Sequence, residues 1–393
     1  MVPGGYGGTT AHRRAGGQRG DGRVLCNGCS RTRSGPEGSS LQRYHLCAAD
    51  RLAVTAVPTG PEGLAREWPR TASRSVAHPA SLWQPRVMSD SHAEPGEVAD
   101  DPADAPAERD AGTRHASSAT GRRDAGCEVY THGHHPSVVR GHSWRTAENS
   151  AEYLLDHLRP GQRLLDLGCG PGTITIDLAA RVAPGPVVGI DAAAGVINTA
   201  TANAATSGLT NVVFATGDGY SIDAADACYD VVHAHQVLQH LSDPIAALEE
   251  ARRVLVPGGL LAVRESDYGA FVWSPDDVRL DRWMQLYHHV TRRNGAQADA
   301  GRWLPAWVRQ AGFADVRTTS SNWTFADPDS RQWWGSQWQE RATASAFAEQ
   351  AVAYGLSTET ELADIAAAFE QWAGDPDAMF VVVHVEVLAT APS

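Results

Sequence analysis

The stretch LLDLGCGPGTITIDLA, residues 164 to 179, limits the possible folds of this chain more than any other part of it. An apolar run ends in Asp166, Gly168, Gly170 and Gly172 follow, and an apolar segment of helical period begins directly afterwards. Glycines at such spacing let the backbone turn sharply and come close to a ligand, while the first turn of the next helix offers free N–H groups. A strand, a glycine turn and a helix in that order begin a doubly wound α/β sheet, whose ligands sit at the carboxyl ends of the strands.

The rest of the C-terminal two thirds repeats that alternation. Short apolar runs read as strands in RLLDLG, VVGID, VVFATGD, YDVVHAH, GLLAVRES, VRTTSSNWTF and MFVVVHVEVLA, with helical stretches between them, so the expected fold is a Rossmann-like, seven-stranded, doubly wound sheet. Ahead of it a single helix is expected over TAENSAEYLLDHL. Thr146 would be its N-cap, Ala147, Ala151, Leu154, Leu155 and Leu158 its apolar face, and Pro160 and Gly161 its stop. A further helical stretch, at about residues 328–377, reads as a cap inserted between the sixth and seventh strands, near the C-terminus.

The glycine spacing also selects among ligands. A dinucleotide loop counted from Gly168 requires glycine at position 173, and Thr173 stands there. The pattern GxGxG, with Asp166 two residues before its first glycine, favours S-adenosylmethionine over NAD. Asp191 ends the second strand, 19 residues past Gly172, where a carboxylate accepts hydrogen bonds from both ribose hydroxyls. Asp218 ends the third, where a carboxylate can accept from an adenine amine while the N–H of Gly219 serves a ring nitrogen. One strand-end acid is unremarkable on a surface; three in register with a glycine loop point to a bound ligand.

Residues 126–393 resemble the class I S-adenosylmethionine-dependent methyltransferases, specifically the small-molecule branch around the UbiE-like ubiquinone and menaquinone methyltransferases. The resemblance rests on LDLGCGPGTIT, VVGID, GDG, YDVVHAHQVLQHLSDP and EEARRVLVPGGLLAV. It implies S-adenosylmethionine as cofactor and a small molecule as methyl acceptor, which the tryptophan-rich segment between residues 270 and 380 would make aromatic or apolar. It also implies that Asp166, Gly168, Gly170, Gly172, Asp191, Asp218, Gly219, His235 and Gln236 surround the cofactor. His240, at the family's LxxHL-like histidine position, becomes the candidate acid or base, paired with Tyr130 from the N-terminal segment; helix capping or packing is the alternative role for His240. The segment YTHGHHPSVVRGH, residues 130 to 142, falls where the family folds a lid over its cofactor; solvated loop histidines and a metal cluster are the other readings, and no metal is expected.

Nine of the twelve tryptophans lie between residues 270 and 380, which suits an aromatic substrate wall or, alternatively, a packed cap without a ligand. Two other functions fit the same motifs: a non-catalytic S-adenosylmethionine-binding regulator and a protein methyltransferase. A nucleic-acid substrate is disfavoured. Of the net charge of −13, residues 126–393 carry 17 arginines against 32 acids, a surface that repels phosphate backbones, and HAHQ replaces the DPPY-type tetrapeptide of DNA amino-methylating enzymes.

Residues 1–125 show neither strand nor helix period and are expected to be a disordered tail, with residues 1–87 read as an over-extended translation start ahead of Met88. A CNGC and YHLC pairing in the tail has only a passing likeness to a zinc site, since the second pair is spaced HxC. Six cysteines do not suggest a disulfide scaffold, no apolar run reaches the ~18 residues of a membrane span, and the first residues lack the apolar core of a secretory signal. The expected location is cytoplasmic; the oligomeric state is left open.

Overall fold

The computed structural model describes residues 128–133 and 135–393. The tail, the cysteine pairs within it, the Met88 start and His134 lie outside the described residues. The strands are β1 (Leu164–Leu167), β2 (Val187–Asp191), β3 (Val212–Thr216), β4 (Tyr229–His235), β5 (Leu255–Ser266), β6 (Val272–Ser274), β7 (Ala314–Phe325) and β8 (Met379–Thr390). The helices are α1 (Pro136–Ser143), α2 (Ala147–Ser150), α3 (Glu152–Leu155), α4 (Thr173–Val182), α5 (Ala194–Ser207), α6 (Pro244–Val254), α7 (Val278–Arg293), α8 (Ala300–Gln310), α9 (Pro328–Ala344), α10 (Ala346–Ala353) and α11 (Glu359–Gly374).

The strands form one mixed sheet in the order β3-β2-β1-β4-β5-β8-β6, with β7 on the other edge of β8. β1 to β5 pair in parallel, and β8 is antiparallel to β5, β6 and β7. This is the Rossmann-like class I methyltransferase sheet, with one more strand than the seven expected. The additional β6 pairs Val272–Ser274 with Val381–Met379, continuing the edge of β8 that β5 occupies further along. Three residues are too few to show an alternation in sequence.

The sheet is covered on both faces, and its side-chain alternation sorts the core. Leu164, Val187, Val212 and Val231 pack beneath α2 to α4, whereas Leu165, Val188 and Val232 pack beneath α6 and α8. Helix starts follow local chemistry. Asp243 caps α6 and Asp327 caps α9, each accepting a backbone N–H and each followed by proline at the first helical position.

The single helix expected after Thr146 is instead two short ones. Thr146 and Asn149 do form a reciprocal capping box, but Ala151 leaves the helix at φ −140°, ψ 21°. At this break the Asn149 carbonyl accepts from Trp323 Nε1 at 2.7 Å, a tertiary contact from β7.

A third core, rich in aromatic residues, lies between the end of β8 and the helices α7, α9, α10 and α11. Trp338 is fully buried at its centre, 4.5 Å edge-on from Trp283 and 5.9 Å stacked on Phe369. Among the described residues no helix is long and apolar enough to cross a membrane. Trp338→Ala should cost about 3–5 kcal/mol, read as a lowered urea midpoint; an unchanged midpoint would remove Trp338 from the centre of this core.

Candidate active site

The glycine loop is a backbone surface. Gly168, Gly170 and Gly172 have φ of 68°, 54° and 80°, a region that side chains disfavour. A Cβ on Gly168 would lie 2.3 Å from Val237, and one on Gly172 would lie 2.6 Å from Phe214. Nothing stands within 4 Å of the corresponding point at Gly170. Two of the glycines therefore permit close packing beneath the loop, and the third leaves open the side that faces a ligand. Asp166 is buried; one of its oxygens accepts from Thr175 Oγ1 in the first turn of α4 at 2.5 Å, and the other lies 2.7 Å from His233 Nδ1 on β4.

A cavity of about 790 Å³ opens beside this loop, within the size range of small-molecule and cofactor sites. Asp191 stands on its wall, its carboxylate accepting from Gly170 N–H at 3.1 Å and Ala193 N–H at 2.9 Å. Asp218 stands there too, accepting from Tyr220 N–H at 2.9 Å, with Gly219 next to it. The strand-end acids Asp191 and Asp218 thus stand on the wall of one space. Of the residues assigned to the cofactor, Asp166, Gly168, Gly170, Asp191, Asp218, Gly219, His235 and Gln236 line it, and Gly172 supports it from behind.

A second, smaller space of about 40 Å³ is lined in part by tryptophans of the aromatic cap. Tyr130, His142, Arg145, Gln236 and His240 border both. The rings of Tyr130 and His240 meet edge to face at 4.8 Å, so the two residues proposed for the chemistry are neighbours at the junction. Burial pushes the Tyr130 phenol up to about 12, which keeps its proton in place at neutral pH. Burial, reinforced by the charge of Arg145, lowers His240 to about 3, so its ring is neutral. His240 Nε2 lies 3.0 Å from Gln239 Nε2, while Ser266 Oγ donates to Gln239 Oε1 at 2.5 Å. In that arrangement the glutamine amide donates to His240 Nε2, and the ring proton sits on Nδ1.

The turn carrying His240 is held from beneath. Glu265 on β5 accepts the N–H groups of Val237, Leu238 and Gln239 at 2.9, 2.8 and 3.3 Å. Gln236, just past β4, adopts φ 54°, rare outside glycine, and bonds Arg145 Nη2 at 2.6 Å through its carbonyl. The N-terminal segment supplies Tyr130 and His142 to both walls and Glu128 to the larger. Glu128 Oε1 also accepts from Tyr220 OH at 2.6 Å and Ser242 Oγ at 2.8 Å. His132 is buried, with Nε2 2.8 Å from Tyr287 OH, whereas His135 caps α1. Among the described residues no three or more His, Cys, Asp or Glu side chains are grouped to hold a metal ion.

Sequence reasoning missed Arg145, Glu265, Tyr268 and Arg341. Arg145 follows the histidine-rich segment directly and precedes the cap Thr146, a position that could have marked it; the others lie far along the chain and gave no local signal.

The fold and the loop define an adenosyl-binding doubly wound protein, and comparison with known proteins narrows the class. Residues 158–339 match the model of the methyltransferase domain family. The chain is 32% identical over 212 residues to an uncharacterized methyltransferase of Schizosaccharomyces pombe, covering 52% of this chain and 76% of that protein. It is 29% identical over 276 residues to a probable methyltransferase of Aspergillus luteorubrus, covering 66% and 96%. It is also 38% identical over 120 residues to a ubiquinone biosynthesis O-methyltransferase of Cereibacter sphaeroides, covering 30% and 47%. The chain belongs to the methyltransferase domain family, and it is an S-adenosylmethionine-dependent enzyme.

Two outcomes follow from this geometry. Asp191→Ala should weaken S-adenosylhomocysteine binding in calorimetry by about 1–3 kcal/mol, on the order of ten- to a hundredfold; unchanged affinity would remove Asp191 from the cofactor site. The second concerns acid. Burial lowers His132, His142, His235, His240 and His384 below the ordinary histidine value, so these rings are neutral in the folded protein and take up protons on unfolding. Their contribution is complete above about pH 6.5 and is lost as pH falls towards the folded values, by up to ~1.4 kcal/mol per ring per pH unit. Tm should hold between pH 7.5 and about 6.5 and fall from there to pH 5, and a flat profile down to pH 5 would contradict the burial of these rings.

Proposed function

We propose that this enzyme transfers the methyl group of S-adenosylmethionine to a small molecule held between the Tyr130–His240 junction and the aromatic cap. The observation that carries this reading is the shared lining of the two spaces: five residues border both the glycine-loop cavity and a narrow chamber inside the cap. A narrow enclosed chamber suits a small acceptor better than a peptide segment lying in a groove.

The cofactor supplies an activated methyl group for in-line displacement, so the protein's task is to align an acceptor and exclude water. Trp323, Trp333, Trp334, Tyr268 and Phe271 provide the apolar part of the chamber wall. Tyr130 keeps its phenolic proton, and His240 offers Nδ1–H, which has no partner in the structure. Both therefore favour hydrogen-bond donation to the acceptor over removal of its proton, and this moves His240 from acid–base chemistry towards substrate positioning. The motif resemblance and the partial match to a ubiquinone biosynthesis O-methyltransferase support placing the enzyme in the UbiE-like small-molecule branch.

Incubation with methyl-labelled cofactor and a host-cell extract should put label into the fraction below protein size. Label confined to protein would favour a protein methyltransferase, and no transfer at all a binding regulator. With a substrate in hand, His240→Ala should lower kcat by about a hundredfold while S-adenosylhomocysteine affinity stays near that of the unmodified enzyme. Equal kcat would remove His240 from the reaction.

A further inference from the structure

The chamber in the cap contains an imbalance of charge and of hydrogen-bonding capacity. Its wall includes two guanidinium groups, Arg145 and Arg341, and no aspartate or glutamate. Arg341, on α9, is only 8% exposed; its Nη2 donates to Ser137 O at 3.1 Å and Gln337 Oε1 at 2.8 Å, and its Nε has no partner. Arg145, half-buried, donates through Nη2 to Gln236, and its Nε is likewise without a partner. Neither forms an ion pair among the described residues. The charged or titratable groups felt by Arg341 are Tyr268, Tyr130, Tyr287 and Arg140, and those felt by Arg145 are Tyr130, Arg341, Arg264 and Tyr268. Glu265, the acid that Arg145 influences, has its carboxylate on three backbone N–H groups. Glu340, near the start of α1, is paired with Arg140. Burial lowers Arg145 to about 10, which still leaves a full positive charge at neutral pH.

The other unpartnered atoms on the wall agree in sign. Gln337 Nε2 and Trp334 Nε1 can only donate, and His240 leaves its Nδ1–H without a partner among the described residues. A buried cation without a counter-ion and an unsatisfied buried donor are both costly, so a partner of opposite character is favoured there. By contrast Arg264, buried on β5 beyond this chamber, has Glu386 at 3.3 Å.

We propose that the substrate carries a carboxylate, which enters the cap chamber and is held by Arg341 with Arg145 and the neighbouring unpartnered donors. The inference rests on the methyltransferase reading above and names the class of its substrate. A flat carboxylate matches the guanidinium fork and a space of about 40 Å³. The remainder of the molecule then extends past the tryptophan-rich wall to the junction with the larger cavity. Arg145 borders both spaces and can also face the carboxylate of the cofactor, whereas Arg341 borders the chamber alone, so Arg341 separates substrate from cofactor.

The test uses the full chain saturated with S-adenosylhomocysteine and three probes in ligand-observed NMR: benzoate, its neutral isostere benzamide, and inorganic phosphate. Benzoate should bind at least about tenfold more tightly than benzamide, and Arg341→Gln should remove that preference while leaving S-adenosylhomocysteine affinity unchanged. Equal binding of benzoate and benzamide, no binding of either, or an Arg341→Gln protein that keeps the preference would overturn the inference. Phosphate binding in place of benzoate would overturn the carboxylate assignment. The benzoate–benzamide comparison needs no variant, so it decides even if Arg341→Gln fails to fold. Failure of S-adenosylhomocysteine to bind the unmodified protein would instead sink the methyltransferase reading itself.

Discussion

The buried carboxylate of Asp166 joins the three elements on which the site depends. It closes β1, takes the hydroxyl of Thr175 in the first turn of α4, and meets His233 on β4. The glycine loop is the segment between the first two of these attachments, and its open face exists because both ends are fixed. β4 in turn continues into Gln236 and the turn carrying His240, which Glu265 holds through three backbone amides. A carboxylate on β1 and another on β5 thus set the positions of the glycine loop and of the turn carrying His240 relative to one another.

The cap completes the arrangement with different physics. Its core is made of interlocking aromatic rings whose burial supplies most of the cohesion between α7, α9 and α11. Where that core meets the sheet it changes character, with Arg145, Arg341, Gln337 and several tyrosines turned towards a small polar chamber. Such a break in an otherwise apolar layer, with donors outnumbering acceptors, is a local conflict of the kind that proteins retain at functional sites.

The extent to which this was legible in the sequence depended on how local each signal was. Strand-end acids such as Asp191 and Asp218 were readable because each sits at a fixed place after a short apolar run, and the sheet converts sequence register into proximity. Tyr130 and His240, 110 residues apart, were paired only through family resemblance, and the structure brings their rings into contact. The break at Ala151 was invisible because the contact beside it, from Trp323 on β7 to the Asn149 carbonyl, joins residues 174 positions apart. β6 was too short to show a period. Arg341 was hidden for another reason: α9 carries tryptophans and arginines on several faces, and the partner that reveals the residue's position, the Ser137 carbonyl, lies 204 residues away.

The account stands most directly on where the cofactor's sulfur lies. A crystal structure with S-adenosylhomocysteine should place the adenosine between Asp191 and Asp218 and the sulfur at the junction, facing Tyr130, His240 and the mouth of the cap chamber. A sulfur directed to solvent, or separated from that chamber by packed side chains, would contradict it.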